Sequence, residues 1–411
     1  MPRLKPTVTK PNTILANYSE ARLLLMGRGI RAFVDGYVAI LLPAYLLALD
    51  YGTLQVGLIS SATLFGSAIS TLLVGSWGHR FHHRQLLIGA AFLMMTTGLA
   101  FAGLSDFWPL LIVAFIGTIN PSSGDVSVFL PLEQARLAES ARGNARTKLF
   151  ARYSLTGALL GALGALVSGM PDGLAEWGVD RLLALKFMFL IYAAAGFVVS
   201  RLYQNLPRPA VDAKPVPSTP LGPSRKTVFK LAGLFSIDSF GGGLMIQSLL
   251  ALWLFERFGL SLSAAGTFFF WSGLLSASSQ LVAPRIAERI GLVRTMVFTH
   301  IPASIALIAA AFQTHLEIVL VLLLIRAALS QMDVPTRSAL VMAVVTPAER
   351  AAASSFTVVT RNMASAISPS LGGAMLAAGW LAAPLIASGL IKIAYDVALL
   401  RAFGHLKIED V

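Results

Sequence analysis

An all-α membrane protein of twelve transmembrane helices, arranged as two six-helix pseudo-symmetric bundles, is the fold class that three features of this sequence predict. The first is composition. Of the 411 residues 56% are hydrophobic and only 13% are charged, where soluble domains carry about a quarter charged residues. A soluble fold of this size cannot hide so much apolar side chain, so lipid is the solvent for much of it. The second is the recurrence of apolar stretches about 20 residues long, the length that crosses the hydrocarbon core. The third is a repeat at one constant shift.

Taken in order, the stretches fall at 23–49, 54–77, 85–104, 108–131, 146–169 and 181–203. A second set follows at 229–255, 261–283, 295–313, 317–345, 353–378 and 382–402. Small residues, as in "GALLGALGALVSG" (157–169), let helix backbones approach closely in a membrane. Between the sets lies "QNLPRPAVDAKPVPSTPLGPSRKT", which is Pro-rich, basic and without hydrophobic periodicity. The predicted division is therefore a first bundle over 1–203, a cytoplasmic linker over 204–227 and a second bundle over 228–411.

The net charge of +12 sits mostly in alternate loops. Loops after even-numbered spans hold Arg80 and Arg84, Arg136 to Lys148, Arg208 to Lys226, Arg285 to Arg294, and Arg350. The opposite loops are nearly free of basic residues, Arg257 being the main exception, and "MPDGLAEWGVD" (170–180) is acidic. The positive-inside rule then puts both termini in the cytoplasm of a multi-pass cell (inner) membrane protein. It also accounts for the basic excess through lipid, with no nucleic acid required. "MPRLKPTVTKPNTILANYSEAR" lacks the apolar core of a signal peptide and reads as a retained cytoplasmic tail. Absence of cysteine excludes disulfides, thiolate metal sites and cysteine nucleophiles.

The repeat appears when the halves are compared at a shift of 209 residues. Arg152 in "FARYSLTGALLGALGA" then meets Arg361 in "VTRNMASAISPSLGGA". The same shift takes Gly57 to Gly266, Ser67 to Ser276, Arg80 to Arg289 and Gly164 to Gly373. Composition bias produces Gly and Ser matches; two matched Arg pairs, one in a loop and one in a helix, are harder to produce by bias. Six spans followed by six in the same orientation make a parallel repeat, with a substrate site between the halves near the midplane.

Charges inside the spans point to that site. "LLLIRAALSQMDVPTRSALVMAVV" (322–345) carries Arg326, Asp333 and Arg337. Facing lipid, each charge at a helix centre costs about 2.5–3.5 kcal/mol. On a continuous helix at about 100° per residue the three share one stripe, within about 20° of whole turns, with Asp333 and Arg337 spaced to pair. Span 1 repeats the logic with Arg28, Arg31 and Asp35, where Arg31 and Asp35 are again four apart. Span 4 holds Asn120, Asp125 and Glu133, span 7 holds Asp238 and Gln247, and spans 5 and 11 add Arg152 and Arg361. Burial favours the neutral form of a carboxylate and a neighbouring Arg favours the charged form, so an Asp between the two can exchange a proton. Asp35 and Asp333 are the first candidates. Lys392 and Asp396 in span 12 are spaced to pair and read as helix packing.

Two motifs carry a family resemblance. The loop after span 8, "PRIAERIGLVR" (284–294), resembles the cytoplasmic signature of the major facilitator superfamily through Glu288, Arg289, Gly291 and Arg294. The loop after span 2, "GSWGHRFHHR" (75–84), keeps Gly75, Arg80 and Arg84 but places His79 where the acidic residue belongs and His82 where the later Gly belongs. In span 11, "SPSLGG" (368–373) is similar to the core of the antiporter helix signature, which the family normally carries in span 5. The resemblance implies that spans 1, 4, 7 and 10 line a cavity and that the loop residues latch one conformation. It implies a secondary active transporter of a small solute by alternating access, with proton-coupled efflux as the first reading. Import or facilitated passage of a polar or anionic metabolite is the alternative. No phosphate loop, clustered nucleophile or His-Glu-x-x-His set is visible, so neither an ATP-driven engine nor an enzyme, cofactor or metal site is expected. His79, His82 and His83 read as interfacial bases facing anionic lipid. The expected partners are the bilayer, the solute and protons, with the chain acting as a monomer.

Overall fold

The computed structural model describes residues 11–77, 80–122, 127–140, 144–207, 221–346 and 349–405. These residues form helices joined by short turns. The first half comprises α1 (Pro11–Ala48), α2 (Thr53–Trp77), α3 (His83–Gly103), α4 (Phe107–Ile116), α5 (Phe129–Ser140), α6 (Asn144–Val167), the short α7 (Met170–Glu176) and α8 (Arg181–Gln204). The second half comprises α9 (Arg225–Gly243), α10 (Gln247–Phe258), α11 (Leu262–Ile290), α12 (Leu292–Phe312), α13 (Leu316–Ser330), α14 (Asp333–Ala343), α15 (Arg350–Ala377) and α16 (Ala383–Phe403).

Among the described residues nine stretches are long and apolar enough to cross a membrane. The other expected spans depart for identifiable reasons. Span 4 is interrupted between α4 and α5, while α11 and α15 are long enough but dilute their apolar residues with Ser, Thr and Gly. Four of those small residues, Ser263, Gly266, Ser370 and Gly373, touch the opposite half.

Spans 4, 7 and 10 are each built from two helices. Gly117 and Pro121 fall in the first break, and the run Gly241–Gly243 leads into the second. Pro335 lacks an N–H and stands in the first turn of α14, where that donor is not needed. Backbone groups freed by a break inside a bilayer must find partners in the protein. Ser248 N, in the first turn of α10, donates to the carbonyl of Pro121 at 3.0 Å. Thr336 Oγ1 likewise donates to the carbonyls of Met332 and Asp333 at 3.1 and 3.0 Å. The break at Gln331–Met332 corrects the continuous stripe expected for Arg326, Asp333 and Arg337. Arg326 belongs to α13 and the other two to α14, so one helical period does not relate them.

The halves meet through α2 against α15 and α6 against α11. A Cβ on Gly57 would lie 2.6 Å from the Pro369 carbonyl oxygen and 2.9 Å from Gly373 Cα, so only glycine permits this approach. At Gly266, a Cβ would lie 2.5 Å from the Ala165 carbonyl oxygen. Gly57 and Gly266 are the pair related by the 209-residue shift, and each admits a helix of the other half. Hydrogen bonds close the same end: Ser370 N donates to Ser61 Oγ at 2.8 Å, and Ser263 N donates to Asp172 Oδ2 at 3.0 Å. Exposed Trp108, Trp177 and Trp380 ring this end, as aromatic anchors do at a bilayer interface. It lies opposite the end where α1 starts and α16 finishes. The main apolar core runs from the first half through α10 into this seal, and a smaller one lies beneath α9, α12, α14 and α16.

Candidate functional site

Two buried clusters of charge hold the discontinuous spans to their neighbours. In the first half, Arg31 of α1 donates to Glu133 Oε2 of α5, and both side chains are almost fully excluded from solvent. The hydroxyls of Tyr153 (α6) and Tyr203 (α8) also donate to Glu133, so four elements meet on one carboxylate. Arg31 lies over the Phe129 ring at 4.0 Å, and Arg28 lies over Tyr153 at 5.2 Å. One helical turn further along α5, Arg136 Nε donates to Glu20 Oε1 at 2.5 Å. The ion partner of Arg31 is thus Glu133 of a distant span, whose carboxylate accepts from several donors in a dry site, while Asp35, one turn along α1, acts on the guanidinium more weakly. Asp35 is half-buried and lies near Tyr192, whose hydroxyl is 3.1 Å from Thr118 Oγ1 at the break of span 4. Asn120, buried in the same break, accepts from Ser122 N and Ser122 Oγ at 3.0 and 2.7 Å. Asp125 lies outside the described residues.

The second-half cluster centres on Asp238 of α9. Its Oδ2 accepts from Arg337 Nη2 at 3.1 Å and its Oδ1 from Lys392 Nζ at 2.8 Å. Arg337 also pairs with Asp333, one turn away on α14, as their spacing predicts. Asp333 stands in the first turn of α14, where the helix dipole favours a negative charge. His300 of α12 completes the cluster. Its Nδ1 is 3.2 Å from Asp396 Oδ1, and its Nε2 is 3.4 Å from Lys392 Nζ and 3.8 Å from Asp238 Oδ1. Lys392 and Asp396 thus do not pair with each other. One turn of α16 separates them, but each reaches a different partner on α9 or α12, which corrects the expected pairing. Arg361 Nε donates to Ser239 Oγ at 3.1 Å. Neither Arg361 nor Arg326, both half-buried, has a carboxylate partner among the described residues. Gln247 is half-buried at the start of α10.

The remaining expected residues scatter. Arg152 is exposed, unlike its repeat partner Arg361. Of the loop residues, Gly75, Arg80, Glu288, Arg289 and Arg294 are exposed, and no ion pair among the described residues engages these charges. Arg84 donates to the Gln204 carbonyl, and Gly291 turns the chain between α11 and α12 at φ +90°. His79 lies outside the described residues. Among the described residues no ion pair links these loops. A different carboxylate works at that end: Glu349 accepts from Thr346 Oγ1 at 2.6 Å, Ser224 Oγ at 2.7 Å and Gly222 N, at the start of α9. These hydrogen bonds hold its carboxyl at about 2, well below the ordinary 4.5.

Sequence reasoning missed His300, Tyr153, Tyr203 and Glu349, and it misassigned Lys392 and Asp396. The signal for His300 was present: it is a titratable side chain in the middle of an apolar run, "VFTHIPAS".

Compared with known proteins, the chain matches the family described as Major Facilitator Superfamily over residues 24–246 and again over 231–403. The uncharacterized membrane protein YJR124C of Saccharomyces cerevisiae is 28% identical over 424 residues, covering 93% of this chain and 94% of that one. The solved structure of a D-xylose–proton symporter is similar with a TM-score of 0.74 at 16% identity, covering 93% and 97% of the two chains. A bacterial homolog of the human lysosomal transporter Spinster, in an inward-facing and unoccupied conformation, gives 0.69 at 15% identity with 96% of each chain covered. At these identities the structural likeness concerns the fold.

Proposed function

The chain belongs to the major facilitator superfamily, and from that premise we propose a proton-coupled carrier that moves a small solute outward across the cell (inner) membrane, with both termini cytoplasmic. The observation that carries this reading is the interlocked cluster around Asp238. Three carboxylates, Asp238, Asp333 and Asp396, share Arg337, Lys392 and His300 in a nearly dry site, with Asp333 at the hinge between α13 and α14. A proton added to Asp238 leaves Lys392 without its counter-charge and weakens the hold on Arg337, which costs several kcal/mol and is relieved by movement. Arg337 bridges α14 to α9, so releasing it loosens span 10 from span 7. The domain division at 204–227 gives two halves that rock about the solute. The seal formed by Gly57 with Gly373, and by Gly266 with Ala165, is the closed gate of the state described here.

The outward direction rests on the likeness of the "SPSLGG" segment of α15 to the antiporter helix signature, and Pro369 and Gly373 of that segment lie directly against Gly57 in the seal. A second reading has its own observation. Arg326 and Arg361 have no carboxylate partner among the described residues, so an anionic solute would complete them; import or facilitated passage of such a solute follows from that.

Reconstitution tests the reading. With a pH-sensitive dye trapped in proteoliposomes, addition of a panel of neutral, cationic and anionic solutes under an imposed pH gradient should give a proton flux with at least one class. That flux should vanish with Asp333→Asn. Solute movement that is unaffected when a protonophore collapses the gradient contradicts proton coupling. Selective movement of anions without protons supports the second reading.

A further inference from the structure

Asp238 is held from behind by helices that the family resemblance leaves outside the cavity, and one of them brings an imidazole. We propose that His300, paired with Asp396, accepts and releases the coupling proton, and that Lys392 is the arm this proton moves. The inference rests on the proton-coupled reading above and names its titrating group.

The hydrogen bonds fix the tautomer. Lys392 is an ammonium and offers donors only. It lies 2.8 Å from Asp238 Oδ1 and 3.4 Å from His300 Nε2, so Nε2 is the acceptor. The ring proton then sits on Nδ1 and is donated to Asp396 Oδ1 at 3.2 Å. A proton arriving at Nε2 turns that nitrogen into a donor facing a donor, and sets a second cation against the ammonium in a low-dielectric site. Asp238 Oδ1, at 3.8 Å from Nε2, is the acceptor in reach. The imidazolium takes Asp238 Oδ1 and Lys392 leaves it. Only an N–H bond forms: the proton comes from water at the cluster's edge, where the Lys392 side chain is 13% exposed, and it returns to water from the same nitrogen.

Other groups around His300 agree with this assignment. From α16, Tyr395 meets the imidazole edge-on at 6.2 Å between centroids. Asp396 Oδ2 and Tyr395 Oη are buried and have no hydrogen-bond partner among the described residues. A buried carboxylate beside a neutral imidazole is a costly arrangement that a charged imidazole relieves. From α14, Arg337 opposes a further positive charge through Asp238, which makes the protonated state transient. α13 carries Arg326 and Glu317, and α11 carries Arg285, Glu288 and Arg289 at its exposed end; none of these forms an ion pair with His300, whose partners are Asp238 and Asp396. Imidazole is also the side chain whose ordinary titration falls nearest neutrality.

The chain has no cysteine, so labels can be placed without removing any. Lys148→Cys and Arg285→Cys put spin labels on exposed sites of opposite halves at the end carrying the termini. In lipid nanodiscs, lowering the pH from about 8 to about 5.5 should shift the otherwise wild-type protein toward shorter separations. His300→Gln, whose amide oxygen still accepts from Lys392 but binds no proton, should lose that response and keep the distribution of high pH. Asp396→Asn should move the midpoint of the response to lower pH. Nitrogen-15 histidine spectra of the otherwise wild-type chain give a second reading that needs no variant to fold. The signal protected from solvent, His300 being the one buried histidine among the described residues, should report a proton on Nδ1 alone at high pH and on both nitrogens at low pH. If His300→Gln keeps the full response, or that signal stays singly protonated throughout, the assignment to His300 is overturned while proton coupling stands. A separation indifferent to pH in the otherwise wild-type protein, together with flux indifferent to the gradient, overturns both.

Discussion

The two buried clusters hold equivalent joints and are built differently. In the first half a single carboxylate, Glu133, is surrounded by Arg31, Tyr153 and Tyr203. Every donor points at one acceptor, and the set holds no imidazole. In the second half three carboxylates divide two paired cations and an imidazole, with orphaned oxygen at Asp396 and a shared guanidinium at Arg337. The polarity is also reversed, since α1 brings the cation in one half and α9 the anion in the other. A satisfied single-acceptor cluster has one low-energy arrangement, whereas a shared and incompletely satisfied one has several. The first joint is therefore a pin and the second a switch.

The largest effect that separates these roles is on folding. Glu133→Gln leaves Arg31 buried without its counter-charge, and loss of one partner of a buried pair costs about 3–5 kcal/mol. The expected result is a sharply lower thermal midpoint in detergent, read by size-exclusion fluorescence. A normally stable variant would remove the distinction between pin and switch. Asp333→Asn should do the reverse, abolishing gradient-driven flux while protein levels stay intact, because Arg337 keeps Asp238. Normal flux in that variant takes Asp333 out of the mechanism.

Smaller effects sharpen the comparison between repeat partners. Arg361→Lys should reduce flux severalfold, since an ammonium does not reproduce the guanidinium fork beside Ser239. Arg152→Lys, at the exposed equivalent position, should change nothing, and equal effects at both would contradict the asymmetry. The smallest effect concerns Glu349. Its carboxyl is held at about 2 in the folded protein against an ordinary 4.5, so its stabilising contribution is present above that ordinary value and disappears as pH falls toward 2. The thermal midpoints of the natural protein and Glu349→Gln should thus differ at pH 6, differ less below about pH 4.5 and converge only near pH 2; a constant difference would assign the effect to packing.

How much of this was legible in the sequence depends on the range of the interaction. Span positions follow from local hydropathy, and the Asp333–Arg337 pair follows from helical spacing. The 209-residue shift matched Gly57 with Gly266, but a glycine match also follows from composition, and only the structure shows that both admit a helix of the other half. Partners from distant spans were not legible. Arg31 had Asp35 in register on its own helix, yet Glu133 lies 102 residues away and brings two tyrosines with it. The break before Asp333 was signalled by Pro335, but treating span 10 as continuous overrode that signal. Lys392 and Asp396 were discounted because span 12 was placed outside the cavity; the long Lys392 side chain reaches Asp238 of α9, and Asp396 meets His300 of the adjacent α12.

The central claim is that the halves rock about a seal that opens at one end as the other closes. Two label pairs measured separately test it: Lys148→Cys with Arg285→Cys at the end carrying the termini, and Glu176→Cys with Ala378→Cys at the sealed end, all on exposed residues. Acidification should shorten the first separation and lengthen the second, with matching populations. Two separations that move in the same direction, or a sealed end that never opens, would contradict a carrier of this kind.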